Sequence, residues 1–224
     1  MSILAWEQIW EEIFRNNEWG KYPAEDLVRF IARNFYKVED RKSIRILEVG
    51  SGPGANVWYI AREGFSVYGI DGSPTAVKRA NERLDKEVQG WNGEIIQGDF
   101  TVIPYENDFF DAVIDNESIC INSFEESNKI FSEIYRVLKS NGKIFTKTFA
   151  NGSWGEGTGE KVGYNSWIVS EGPLKGTGYC RFSTKEDVLD LLNNFQIEEF
   201  EYITRSYQNG EHEIKEWVVV ASKK

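Results

Sequence analysis

Apolar residues recur at helical spacing through residues 4–17, where Trp6, Ile9, Trp10, Ile13 and Phe14 share one stripe and Glu and Arg lie opposite. This period predicts an amphipathic helix, and a second follows that carries Leu27, Val28, Phe30 and Ile31. Between them "NEWGKYPAED" reads as a loop whose Pro23 suits a first helical turn. From Ile44 the pattern alternates between strand and helix. "IRILEV" is a short buried strand that runs into a helix over 54–63, and "FSVYGI" is a second strand. The next helix starts with Ser73 as cap and Pro74 at its first position, and turns Ala76, Val77, Ala80 and Leu84 inward. "GEIIQ" and "FFDAVID" give a third and a fourth strand. Ser123 and Glu126 form a capping box for a helix over 124–139 that stops at Asn141-Gly142, and "KIFTKTF" is the fifth strand. Ser183 and Glu186 make a second box before a helix over 184–194.

The end of the chain differs. "EEFEYITRSY" and "HEIKEWVVVA" flank Asn209-Gly210, a strong hairpin signal. Strand-helix units imply a parallel sheet, so the expected fold is α/β with a mostly parallel sheet ending in an antiparallel hairpin. One stretch stands apart: residues 151–179 hold 8 of the 20 glycines, together with Trp154, Tyr164, Trp167 and Tyr179. Its length favours a functional loop or lid. The expected organisation is one domain over 1–224. It comprises a helical cap at 1–40, a ligand-binding core at 44–150, a Gly-rich lid at 151–180, and a last helix and hairpin at 181–224.

Composition narrows the function classes. A net charge of -10 without a Lys/Arg cluster argues against nucleic acid as partner. Cys120 and Cys180 lie far apart and have no metal-ligand spacing, so neither a metal nor a disulfide framework is expected. Residues 1–20 lack a basic start followed by an apolar block, being interrupted by Glu7, Glu11 and Glu12. No run of 18 apolar residues occurs, so neither a leader nor a membrane span is expected and the expected location is cytoplasmic.

The candidate chemistry sits where strands end. Gly50, Gly52 and Gly54 in "RILEVGSGPGANVWYIAREG" lie between the first strand and its helix, at the kind of crevice where parallel sheets bind ligands. Glycines there let a ligand approach the backbone. "GSGPGA" also satisfies the dinucleotide fingerprint, which leaves an NAD-dependent oxidoreductase open. Against that reading, the nucleotide fold occupies most of the chain from Ile44 and leaves no substantial catalytic domain. Glu48 ends an otherwise apolar strand and suits a cationic amino group. Asp71 closes the second strand, where an acid accepts from two ribose hydroxyls. Asp99 follows the third strand, placed to accept from an adenine amino group with Phe100 supporting the ring. Asp115, Asn116 and Glu117 stand at the mouth of the fourth.

These motifs together resemble the class I S-adenosylmethionine-dependent methyltransferases. "ILEVGSGPG" is similar to their first motif, "VYGIDGSPTAV" to the acidic second-strand motif, "GDFTVIPYENDFFDAVID" to the third and fourth, and "IYRVLKSNGKIF" to the entry into the fifth strand. The resemblance implies a Rossmann-like, doubly wound, mostly parallel seven-stranded sheet, the closing hairpin fitting the family's reversed strand. It implies S-adenosylmethionine as cofactor and methyl transfer to a small-molecule acceptor. Gly50 and Gly52 would approach the methionine moiety, Glu48 its amino group, Asp71 the ribose, and Asp99 and Phe100 the adenine. Ser51, Gly54, Gly72 and Ser73 belong to the same loops, Asp115 and Asn116 complete the amino-acid pocket, and Trp19 and Tyr22 cover the cofactor. Glu117 and the sole histidine, His212, are the candidate bases. Tyr164, Trp167 and Arg181 are candidate substrate ligands in and beside the Gly-rich segment. A monomer or homodimer is expected. A non-catalytic binder on the same fold stays open.

Overall fold

The computed structural model describes residues 7–224, so Trp6, at the head of the first apolar stripe, lies outside the described residues. Helix α1 (Ile9–Asn16) and helix α2 (Glu25–Phe35) come first. Pro23 stands ahead of α2 rather than in its first turn, because Ala24 is already the extended residue at the helix's N-terminus. Three strand-helix repeats follow: β1 (Arg45–Val49), α3 (Ala55–Arg62), β2 (Ser66–Asp71), α4 (Pro74–Glu87) and β3 (Asn92–Gln97), then β4 (Phe110–Asn116), α5 (Phe124–Val137) and β5 (Leu138–Phe149). Ser73 caps α4 ahead of Pro74, and Ser123 with Glu126 closes a reciprocal box on α5, as the spacing predicts. Asn141 and Gly142 lie within β5 rather than at a helix end. Phe110 pairs with Leu138 but Ala112 with Lys143, so residues 139–142 bulge out, with Asn141 at a φ of 62°.

The Gly-rich stretch is built rather than loose. It forms β6 (Glu160–Gly163) and β7 (Ser166–Ile168), which join β8 (Tyr179–Arg181) in a small antiparallel sheet. Helix α6 (Lys185–Leu191) follows, and its capping box is Thr184 with Asp187, one residue beyond the expected Ser183 and Glu186. Ser183 is taken instead by a bridge to Ala150 that ties the end of β8 to the end of β5. Strands β9 (Phe195–Tyr207) and β10 (His212–Lys223) close the fold. Their last pair is Tyr207 with His212, so the connection has four residues, 208–211, of which Gln208, Asn209 and Gly210 have positive φ.

The main sheet has seven strands in the order β3-β2-β1-β4-β5-β10-β9. Strands β3 to β5 run parallel, and β10 lies antiparallel to both β5 and β9. Alternation along each strand serves two cores. Leu47, Val49, Val113 and Ile144 pack with α5 and α6 on one face. Ile46, Val67, Ala112 and Phe145 pack with α2, α3 and α4 on the other. Each face is covered by helices, as a parallel sheet requires. The chain connects outward from β1 in both directions, so the carboxyl ends of β1 and β4 part there and open a crevice. A third apolar cluster of Phe149, Cys180 and Phe182 with Cys120, Val169 and Ile214 roots the small sheet beside that crevice. Among the described residues no helix is long and apolar enough to cross a membrane.

Candidate active site

The crevice holds a cavity of about 410 Å³. Its polar floor comes from the carboxyl ends of three strands: Glu48, Gly50, Ser51 and Gly52 after β1, Asp71 and Gly72 after β2, Asn116, Glu117 and Ser118 after β4. The first loop is shaped by its glycines. Gly50 has a φ of 68°, and a Cβ there would fall 2.3 Å from Ser118 Cβ, so the β1 and β4 loops meet only because no side chain intervenes. The Gly50 and Ser51 amides donate to Ile70 O at 2.8 and 3.3 Å, which pins this loop to β2. Asp71 continues the tie: its Oδ2 accepts from Gly52 N and its Oδ1 from Ser73 N, both at 2.8 Å. Each carboxylate oxygen keeps a further lone pair for a ligand hydroxyl.

Glu48 is a buried acid that is only half satisfied. Its Oε1 accepts from Asn56 Nδ2 at 2.6 Å, while Oε2 is buried without a partner. Burial pushes this carboxyl up to about 8, helped by Asp71 and Asp115 nearby and only partly offset by Asn56. Among the described residues six buried side-chain polar atoms lack a partner. Four of them, Trp10 Nε1, Glu48 Oε2, Ser51 Oγ and Asn116 Oδ1, belong to residues lining this cavity. Buried polar groups are nearly always paired, so this concentration marks a place shaped for a polar ligand.

Asp115 lies behind the wall rather than in it. Its Oδ1 accepts from Ser118 N, Ser118 Oγ and Ile119 N, and its Oδ2 from Thr146 Oγ1 at 2.6 Å. With these four donors it shapes the loop from which Asn116, Glu117 and Ser118 face the cavity. Asp99 also sits outside the lining: its Oδ1 accepts from the amide and the hydroxyl of Thr101, at 2.8 and 2.7 Å. Gly54, at a φ of 91°, starts α3, and Ser73 caps α4; both shape the wall from behind.

The roof comes from outside the strand-helix core. Helix α1 contributes Trp10 and Phe14, the loop after it Trp19 and the 77 % exposed Tyr22, and the Gly-rich segment Pro173, Leu174 and Thr177. Trp10, Phe14 and Trp19 form one aromatic cluster, with ring centroids 5.3 to 5.8 Å apart. Glu11 fastens α1 down. Its carboxylate accepts from Ser73 Oγ and Thr75 Oγ1, both at 2.5 Å, and from Thr75 N at 3.1 Å, at the N-terminus of α4. Trp10 and Phe14 were visible in the sequence only as an apolar stripe, which core packing explains equally well.

Glu117 has a φ of 63°, uncommon for a residue with a side chain. Its amide donates to Lys147 O at 2.9 Å, extending the β4–β5 pairing by one residue. Its carboxyl lies 3.4 Å from Lys147 Nζ and shares a hydrogen bond with Glu216. Lys147 also meets Glu216 at 3.2 Å and Asp26 at 3.5 Å, and Arg205 reaches both oxygens of Glu216 at 3.0 Å. Burial together with the bond to Glu216 raises the Glu117 carboxyl to about 8, against the pull of Lys147. The sequence carried a signal for this cluster. Period-2 alternation puts Lys147 on one face with Phe145 and Phe149, and Glu216 with Ile214 and Val218.

The remaining candidates lie elsewhere. His212 stacks on Trp154 at 4.1 Å near the hairpin tip, and it does not line the cavity. Arg181 is 1 % exposed and donates to Asn122 O, Ser183 Oγ and Ser127 Oγ, which staples β8 to α5 and the segment before it. Tyr164 donates to Asp187 at 3.0 Å, and Trp167 packs on Phe182. Neither lines the cavity.

Comparison with known proteins agrees with this geometry. A family model described as a methyltransferase domain matches residues 47–146, the span from β1 into β5. The glycine/sarcosine/dimethylglycine N-methyltransferase of Actinopolyspora halophila is 29 % identical over 196 residues, 83 % of this chain and 33 % of that protein. Matches to such curated relatives span 24 to 40 % of their lengths. A S-adenosylmethionine-dependent methyltransferase from Methanosarcina mazei superposes with a TM-score of 0.67 at 20 % identity, covering 86 % of this chain and 96 % of its own. The [4+2]-cyclase SpnF superposes equally well, with a TM-score of 0.67 at 20 % identity over 88 % of this chain and 79 % of its own, so the fold alone does not settle the reaction. Motif order, sheet order and the acidic groups at the strand ends converge with these matches: the chain is similar to the class I S-adenosylmethionine-dependent methyltransferases over residues 47–146 and shares their fold.

Proposed function

We propose that this protein moves a methyl group from S-adenosylmethionine to a small-molecule acceptor. The observation that carries the reading is the unpartnered Glu48 Oε2 in a cavity walled by the β1, β2 and β4 loops and roofed by α1 and the Gly-rich segment. Glu48 would hold the cofactor's amino group, Asp71 its ribose and Phe100 its ring, while the Gly50–Gly52 backbone admits the methionine moiety. Asp99, tied to Thr101, would support the adenine end from outside the lining. The cofactor supplies a methyl carbon already activated by a sulfonium, so the acceptor's lone pair forms the new bond while the carbon–sulfur pair returns to sulfur. What remains for the chain is to orient two reactants and exclude water, which is worth several kcal/mol when the geometry is right.

A cavity of about 410 Å³ lies near the lower end of the range for small-ligand sites, so cofactor and acceptor together leave little spare room. That favours a compact acceptor over a polymer. The named activities of relatives, on phosphoethanolamine and on glycine, are small-molecule methylations of the same kind. The test is transfer of labelled methyl from S-adenosylmethionine across a panel of small metabolites. Turnover of at least one acceptor is expected. Tight cofactor binding with no turnover would favour a binder or a different reaction, as the cyclase neighbour illustrates.

A further inference from the structure

We propose that the acceptor is a small amine, taken up as its ammonium ion between Glu117 and the aromatic roof, with Glu117 drawing off the proton that masks the nitrogen lone pair. This rests on the methyltransferase reading above and narrows it.

Charge in the cavity points one way. Glu48, Asp71 and Glu117 line it, and no Lys, Arg or His among the described residues does. With Glu48 and Asp71 committed to the cofactor, Glu117 is the carboxyl left for the acceptor. A phosphate or carboxylate on the acceptor would meet no cation, because Lys147 is held behind Glu117 by Asp26 and Glu216. Rings of Trp10, Phe14 and Trp19 face the same space and accept a cation on their π faces as readily as an apolar group.

The charges behind Glu117 explain how it responds. Lys147, Arg205 and Arg29 are three cations, and Asp26, Glu216 and Glu201 are three anions. That set is neutral without Glu117, whose carboxyl is free to keep a proton in its bond with Glu216. An arriving ammonium supplies the counter-charge that makes ionisation favourable. Glu117 then releases its own proton to solvent and pairs with the ammonium. In the following step one N–H proton passes to the Glu117 carboxylate and the nitrogen lone pair is exposed. The groups facing Glu117 are Lys147 from β5 and Glu216 from β10, with Asp26 of α2 and Arg205 of β9 one contact further away. On this account binding an amine releases a proton, whereas binding an alcohol of the same shape does not.

The experiment uses the wild-type chain saturated with S-adenosylhomocysteine. It is titrated calorimetrically with benzylamine and phenethylamine, with the isosteric benzyl alcohol and 2-phenylethanol, and with phenylacetate, in two buffers of different ionisation enthalpy. We expect both amines to bind at least tenfold tighter than the alcohols, with proton release near pH 7, and phenylacetate not to bind. In Glu117→Gln the amine advantage should fall to within twofold while S-adenosylhomocysteine affinity moves less than twofold, which also reports that the variant is folded. Equal binding of amines and alcohols, preferred binding of phenylacetate, binding of none of the panel, or an amine preference that survives Glu117→Gln would each overturn the proposal. Failure of S-adenosylhomocysteine itself to bind would instead remove the reading beneath it.

Discussion

Glu48 shows how one residue can prepare a site at some cost to its own ionisation. Its ordinary carboxyl value is 4.5, and burial at the end of β1 raises it to about 8. The folded chain therefore holds one more proton than the unfolded chain between those values, and its stability falls as pH rises from about 4.5 to about 8. A cofactor ammonium selects the ionised form. Affinity for S-adenosylhomocysteine should therefore climb as pH rises from 6 towards about 8, and a calorimetric pH series on Glu48→Gln should lose that climb along with at least tenfold in affinity, about 1.4 kcal/mol. A slope unchanged in the variant would assign the titration to another group. Gly50 offers a second residue-scale test. Alanine there combines a φ of 68° with a 2.3 Å approach to Ser118 Cβ, whereas Gly90, at 70°, has nothing within 4 Å. Gly90→Ala should lower stability by about 1 kcal/mol through backbone strain alone. Gly50→Ala should cost more than that and also abolish cofactor binding, as melting curves with and without S-adenosylhomocysteine will show.

Among the elements, α1 is a roof tied to α4 at both ends, by Glu11 near its start and by Arg79, which donates to Asn17 O at 2.9 Å, at its finish. Burial works against the charge of Glu11, but hydrogen bonds from Ser73, Thr75 and Arg15 outweigh it and hold the carboxyl at about 2. A lowered carboxyl stabilises the folded state above its ordinary 4.5, and this contribution disappears as pH falls towards about 2. The docking of α1 should weaken across that acid window. At neutral pH Glu11→Ala should leave the sheet intact, speed hydrogen exchange in α1 and weaken S-adenosylhomocysteine several-fold. Unaltered exchange there would show that aromatic packing and Arg79 hold the roof without Glu11. Strands β5 and β10 carry the opposite case, a buried cation shared by three acids. Lys147→Met would leave Glu216 with Arg205 and Asp26 with Arg29 but remove the cation shared by the three acids, and a loss of about 3 kcal/mol in denaturant unfolding is expected.

At the scale of the molecule, the parallel core was legible because each level of the sequence agreed. Apolar runs marked β1 to β5, Ser73-Pro74 and Ser123-Glu126 marked helix starts, and the glycines fell at the sheet's switch point. What escaped was set by tertiary context. Thr184 replaced Ser183 as a cap because Ser183 was already bridged to Ala150. The Gly-rich segment read as a loop, yet its short strands find partners only in one another. Glu117 was legible as a residue at a strand mouth, but its surroundings depend on β10 folding back beside β5, which no local pattern displays. His212 stands out in the sequence as a candidate base and Arg181 as a candidate substrate ligand, and the fold places one in a ring stack and the other as a buried staple.

The central claim, that these strand ends were shaped for S-adenosylmethionine, meets its most direct test in a calorimetric titration of the wild-type chain and Asp71→Ala with S-adenosylhomocysteine and, in parallel, NAD. The account predicts one site per chain for S-adenosylhomocysteine, none for NAD, and at least tenfold weaker binding in the variant, since Asp71 would lose two charge-assisted hydrogen bonds to the ribose. Binding of NAD alone, no binding of either ligand, or an affinity indifferent to Asp71 would contradict it.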